Sequence, residues 1–261
     1  MESEIGTAGS IPMLLLTVLP ICAYAKQHVS LHVTKGGTDV RNAPTVNYLK
    51  HVLLPMLMRM GLKATLTVKK YGYYPKGMGE VDLEVDPCPN LSPIRLEHFG
   101  ELQSVKGVSV CTFLADRKVA ERQAAAAEEL LRSAGLAPKI EVVNDVSNPL
   151  QKGSSLVLWA ETDSGALLGG DAIGELGKPS EKVGREAANN LLKEITVRPT
   201  VDSHLADMVV PYVALAQGST VYFGGFLTEH LGTNIWLAEK ILGAKFQVKK
   251  ADNLYRIEMV K

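Results

Sequence analysis

The stretch Thr220–Val260 reads TVYFGGFLTEHLGTNIWLAEKILGAKFQVKKADNLYRIEMV, and it carries the pattern that decides the fold. Thr220 to Phe223 opens a β-branched and aromatic strand, and Gly224-Gly225 breaks it. Gly232 to Leu242 then reads as a helix, ended by Gly243. Lys245 to Lys249 and Leu254 to Val260 are two further strands. Just upstream, Leu205 to Ala216 is an apolar helix. The order is helix, strand, Gly-Gly, helix, strand, strand.

The same order occurs once more, nearer the start. Ile11 to Ala25 is an apolar helix with Ser10 as N-cap and Pro12 in its first turn. His28 to Thr34 alternates as a strand, and Lys35-Gly36-Gly37-Thr38 breaks it. Pro44 to Met60 is a second helix, with Tyr48, Val52, Leu53, Met56 and Leu57 on one face and Gly61 as its stop. Lys63 to Lys69 and Gly79 to Val85 follow as strands. Residues 10–86 and 203–260 therefore read as duplicated units, each expected to be a four-stranded sheet with two helices on one face.

Between the units the pattern changes. Val108 to Leu114 is a strand, and Lys118 to Ser133 an amphipathic helix closed by Gly135. Lys139 to Val143 and Ser155 to Glu161 are strands, and Lys182 to Glu194 is a helix capped by Ser180. This segment reads as an α/β module inserted into a two-unit core. The predicted division is 1–103 and 201–261 for the core and 104–200 for the insertion, a mixed α/β (α+β) fold.

Composition narrows the function. The 261 residues balance 28 Lys and Arg against 28 Asp and Glu, with 46% hydrophobic and 21% charged residues. That excludes a disordered chain, a collagen-like chain and a disulfide scaffold. It argues against wrapping long nucleic acid, which needs a cationic excess, but permits gripping one nucleic-acid end. Cys22, Cys88 and Cys111 form neither a CxxC pair nor a zinc ligand set, as expected of reduced thiols in a cytoplasmic protein. Ile11 to Ala25 follows an acidic MESE start, contains Pro12 and Pro20, and falls short of the about 20 residues that span a bilayer. It reads as a buried helix rather than a signal peptide, so no membrane partner is expected.

The chemistry-bearing residues are few. His230, in Glu229-His-Leu-Gly-Thr-Asn234 just before a helix, offers a nitrogen lone pair that can attack phosphorus or carbonyl carbon. The helix start would favour an incoming phosphate, although a histidine in such a position more often packs or caps. His204 and Asp207 share one face of a helix start, where acids are also common for electrostatic reasons alone. The loop Tyr71-Gly-Tyr-Tyr-Pro-Lys-Gly-Met-Gly79 reads equally as a phosphate cradle and as a plain hairpin. Gly169-Gly-Asp-Ala-Ile-Gly174 lacks the dinucleotide spacing and is assigned no cofactor role. No P-loop, HExxH or GxSxG motif is present.

Six stretches, in order, carry a resemblance: Ile5-Gly-Thr-Ala-Gly-Ser10; Lys35-Gly-Gly-Thr-Asp39 with Pro44; Tyr71-Gly-Tyr-Tyr-Pro-Lys-Gly77; Gly174-Glu-Leu-Gly-Lys-Pro-Ser-Glu181; His204-Leu-Ala-Asp-Met208; and His230-Leu-Gly-Thr-Asn-Ile235. Together they resemble the RNA 3′-terminal phosphate cyclases, most closely those of archaeal type, over essentially the whole chain. The resemblance implies repeated β-α-β-α-β-β units related to the enolpyruvyl transferases, plus an inserted α/β domain. It implies ATP and a divalent cation (Mg2+ or Mn2+) as cofactors, RNA 3′-phosphate ends as partners, and a cytoplasmic setting in which a homo-oligomer is allowed. It places His230 on the family's adenylated histidine. It places His204, Leu205, Ala206, Asp207 and Met208 on the nucleotide-contact segment, and Leu16 and Pro44 on further nucleotide contacts. It assigns no residue as a metal ligand.

The implied reaction converts an RNA 3′-phosphate to a 2′,3′-cyclic phosphodiester through a histidine–AMP. The alternative is a non-catalytic cyclase-like scaffold of the kind that acts in ribosome assembly, whose members lack the histidine. A transferase of the enolpyruvyl type would want a cluster of Arg and Lys, which the sequence does not show. The chain departs from the family in places. Leu16 stands where Gln is usual, removing a hydrogen bond to adenosine or phosphate. His204 and Met208 stand where Tyr and Gln are frequent, though archaeal members share them, and Gly77-Met78-Gly79 replaces Gly-Gly-Gly. Family members also carry a further unit of roughly ninety residues ahead of the stretch matched here, with a Glu-Gly-Gly-Gly-Gln-type start.

Overall fold

The computed structural model describes residues 1–260 and holds three sheets with helices packed against them. The first sheet has the order β1-β2-β4-β3, from β1 (Glu2–Glu4), β2 (Val29–Gly36), β3 (Ala64–Lys70) and β4 (Gly79–Val85). β1 runs parallel to β2, and the other pairs are antiparallel. α1 (Ile11–Ala23) starts as read from sequence: the Ser10 hydroxyl accepts from the Met13 N–H, and Pro12 sits in the first turn. β1 was not legible. Its sequence, Glu-Ser-Glu, has no apolar alternation, and pairing with His32–Thr34 holds it in the sheet.

The second helix starts later than the sequence suggests. Thr45 caps α2 (Val46–Tyr48), a π-helical turn covers Leu49–Leu53, and α3 (Leu54–Arg59) follows. Pro55 accounts for the π turn, since it has no N–H for the carbonyl four residues back. The Leu54 N–H reaches the Leu49 carbonyl instead.

The middle sheet has the order β6-β5-β7-β8, from β5 (Leu102–Thr112), β6 (Pro138–Asp145), β7 (Gly153–Thr162) and β8 (Leu167–Ile173). β8 went unseen in the sequence because it carries Gly169-Gly170. A side chain at Gly169 would meet the Tyr48 ring at 2.5 Å, and one at Gly170 would meet the α5 backbone at Leu191 N at 2.5 Å. This strand is pressed from both sides, so close approach selects glycine. α4 (Val119–Ser133) and α5 (Ser180–Val197) cover one face. Pro179 takes the N-cap position of α5, so Ser180 is its first residue rather than its cap.

Along β7, Leu156, Leu158 and Ala160 pack under those helices, while Val157 and Trp159 face the main core. β7 is thus buried on both faces, which explains the nearly unbroken apolar run in Ser155–Ala160.

The last unit repeats the first with one strand reduced. Its sheet has the order β10-β11-β9, from β9 (Thr220–Gly224), β10 (Lys245–Ala251) and β11 (Leu254–Val260), so the expected four strands are three. Val201 stands where the fourth would lie. It forms a parallel bridge to Gly224, as β1 does to β2, and a second to Leu167 of β8. It cannot extend, because Asp202 leaves the strand to cap α6. The expected single helix Leu205–Ala216 is two, α6 (Ser203–Met208) and α7 (Val210–Leu215), broken ahead of Pro211. α8 (Glu229–Leu242) begins earlier than Gly232, capped by Thr228, whose hydroxyl accepts from the Leu231 N–H at 3.0 Å. No helix among the described residues is long and apolar enough to cross a membrane.

Candidate functional site

Four elements meet at a cavity of about 410 Å³: the edge strand β8 at Gly169–Asp171, the C-terminal half of α5, and the starts of α6 and α8. Asp202 organises this corner. It is 1% exposed and caps α6, accepting from the His204 and Leu205 N–H groups at 2.9 and 3.0 Å. It also accepts from the Tyr48 hydroxyl at 2.8 Å and from the Gly169 N–H at 2.7 Å. One carboxylate therefore fixes α6, β8 and the first unit's helix against each other. Burial nevertheless raises its pKa, outweighing the hydrogen bonds that favour the charge.

His204 is exposed at the cavity wall, its ring edge-on to Tyr48 with centroids 6.3 Å apart. Asp207 lies one turn further along α6, and burial pushes its carboxyl up to about 6 while His204 and His230 pull it down. Pro211 has no N–H for the Asp207 carbonyl, and the Asn234 side chain donates to that carbonyl at 3.2 Å instead. That bond ties α6 to α8, and Asp207 and His230 lie beside the cavity rather than on its wall.

His230 is exposed in the first turn of α8, inside the helix rather than ahead of it. The early N–H groups of this helix lack intrahelical partners and favour an anion there. Lys193 of α5 lines the cavity with its ammonium 4.1 Å from the centre of the Phe226 ring, another wall residue. Glu194 is 7% exposed; its Oε1 accepts from the Ser203 N–H at 3.2 Å, and its buried Oε2 has no hydrogen-bond partner. An orphaned buried oxygen in a cavity wall fits a site built for a hydrogen-bonding ligand.

The other residues singled out in the sequence divide. Leu205 and Ala206 are fully buried core residues, so they hold the segment in place and do not face the cavity. Met208 and Leu16 are half-buried and pack against the main core, and neither lines the cavity. Pro44 precedes Thr45, whose N–H donates to Asp171 of the cavity wall at 2.9 Å. Asp171, Lys193, Glu194, Asp202, Phe226 and Thr228 were missed. Asp202 and Thr228 had a sequence signal, as N-cap residues ahead of helices. Among the described residues no three His, Cys, Asp or Glu gather as a metal-ligand set.

Comparison with known proteins adds a second line of argument. A family profile described as RNA 3′-terminal phosphate cyclase matches residues 1–248. The RNA 3′-terminal phosphate cyclase of Pyrobaculum neutrophilum is 43% identical over 258 residues, covering 98% of this chain and 73% of the relative. That of Thermococcus gammatolerans is 44% identical over 245 residues, 94% of this chain and 69% of the relative. That of Methanopyrus kandleri is 40% identical over 252 residues, 95% of this chain and 71% of the relative. With a profile match and several such identities extending over nearly all of its length, the chain belongs to the RNA 3′-terminal phosphate cyclase family.

Proposed function

We propose that the protein cyclises RNA 3′-phosphate ends at the expense of ATP, with His230 as covalent nucleophile. The observation that carries this reading is an accessible imidazole in the first turn of α8, close enough to Asp207 to lower its pKa, on a helix that the Asn234–Asp207 bond ties to α6. A ring nitrogen of His230 attacks the α-phosphorus of ATP, an N–P bond forms, and the bond to pyrophosphate breaks. An oxygen of the RNA 3′-phosphate then attacks that phosphorus, and the N–P bond breaks, regenerating the histidine. The neighbouring 2′-hydroxyl oxygen attacks the 3′-phosphorus, the bridging P–O bond to AMP breaks, and the hydroxyl proton passes to the departing AMP phosphate or to water. The phosphoramidate keeps the free energy of the anhydride available for the last displacement.

Another residue supports these steps. Lys193, on the cavity wall, offers a cation for phosphate oxygens. A divalent cation is proposed only as a counter-ion to the triphosphate.

Incubation with ATP labelled at the α-phosphate tests this reading. The protein should retain label that survives alkali and is released by acid. His230→Asn should abolish the label, and the exposed position predicts a stability change within about 0.5 kcal/mol. Label retained on that variant would overturn the assignment, and no label on the folded wild type would favour the scaffold alternative.

A further inference from the structure

We infer that a second, larger cleft binds the single-stranded RNA that precedes the reacting 3′ end; this rests on the proposed function for the identity of the ligand. The cleft encloses about 1020 Å³ between the first unit and the inserted module. One wall is Asp39–Arg41 with Tyr73–Pro75, and the other combines the starts of α4, β7 and α5. Glycine lets the walls close: a side chain at Gly153 would strike the Tyr73 ring at 2.2 Å.

Its lining suits a nucleic-acid strand. Arg117 and Lys152 are exposed on it, and neither has an ion-pair partner among the described residues. Arg41 is held by Glu175, its Nε donating at 2.8 Å across the mouth, so Glu175 is neutralised rather than facing an incoming phosphate. Asp39, the other acid of the lining, is 2% exposed and accepts from the Thr38 hydroxyl at 2.7 Å. Tyr74 presents its ring with 79% exposure and Leu176 is fully open, two apolar platforms beside the cations. Cations that track a backbone and an aromatic ring on which bases stack are the combination that single strands need. Ser180 adds an independent mark. It is 8% exposed at the start of α5, its hydroxyl has no partner among the described residues, and it lines the cleft.

The two cavities lie along one strand. Gly169–Asp171 of β8 line the smaller cavity, and Ile173 with Gly174 line the cleft. At about 3.3 Å per residue, Gly170 and Gly174 are roughly 13 Å apart. A chain whose 3′ end lies in the smaller cavity reaches the cleft within a few nucleotides.

Fluorescence anisotropy with a labelled single-stranded oligoribonucleotide ending in a 3′-phosphate tests the inference, with a 3′-phosphorylated dinucleotide for comparison. The oligomer should bind the wild-type chain more tightly than the dinucleotide. Tyr74→Ala should weaken the oligomer about tenfold and the dinucleotide little. Arg117→Ala with Lys152→Ala should lower the slope of log affinity against log salt by about 0.7 for each lost phosphate contact. All three positions are on the surface or rim, and unchanged circular dichroism would show that the variants fold. Oligomer binding no tighter than the dinucleotide, or unaltered in these variants, would overturn the cleft. Labelling of the wild-type chain by ATP, without RNA, reads the proposed function separately. A chain that fails to label yet binds the oligomer through these residues keeps the cleft and loses the cyclase reading.

Discussion

Asp207 shows how one side chain couples the site to the fold. Burial raises its carboxyl from an ordinary 3.8 to about 6, and the nearby imidazoles only partly offset this. Between those values the folded chain keeps a proton that the unfolded chain has released. The associated stability is present in full below 3.8 and is lost as the pH rises through about 6. Asp207→Asn should remove that dependence. Urea midpoints at pH 4 and pH 7 should show the variant gaining on the wild type as the pH rises; a gap that stays constant would mean that Asp207 does not titrate as a buried acid. His28 works in the same sense on the outer face of the first sheet. Its contacts with Asp86 and Glu84 raise its pKa, so its contribution also fades as the pH climbs.

At the scale of elements, helix starts carry the chemistry. Thr228 caps α8 through a 3.0 Å bond to the Leu231 N–H, and His230 lies in the turn so fixed. Thr228→Ala should cost about 1 kcal/mol in thermal or urea unfolding and slow labelling by ATP, since the turn holding the imidazole frays. A variant as stable and as fast as the wild type would show that the cap is dispensable. The start of α1 and the stops of α4 and α8 were readable because Ser10, Gly135 and Gly243 act locally. β1 and β8 were not, because a polar triplet and a glycine pair acquire their place only through neighbours far along the chain. The site divides in the same way. His204, Asp207 and His230 lie within short motifs, whereas Glu194 lies in the last turn of α5, and its orphaned oxygen is a property of the assembled fold. The Asp207 carbonyl freed by Pro211 and taken by Asn234 is likewise a tertiary fact.

At the scale of the molecule, the inserted module shares its sheet with both cores. Trp159 stacks on His51 at 4.5 Å on the main-core side, while Leu158 next to it is fully buried under α4 and α5. Trp159→Ala should cost about 3–5 kcal/mol and Leu158→Ala about 2–5 kcal/mol. Both should move one cooperative unfolding transition, followed by calorimetry; two separated transitions would show that the module unfolds independently. Parallel bridges from Leu167 to Val201 and from Val201 to Gly224 join the module to the last unit directly beside the candidate site. The same junction positions Asp202, and through it the segment carrying His204 and Asp207. The place of His230 is therefore a product of the whole architecture, and its adenylylation is the step proposed to occur there. Peptide mapping by mass spectrometry after incubation with ATP and a divalent cation tests it most directly. The expected result is AMP joined through an acid-labile bond to the peptide that contains His230, and an adduct carried by any other residue would contradict it.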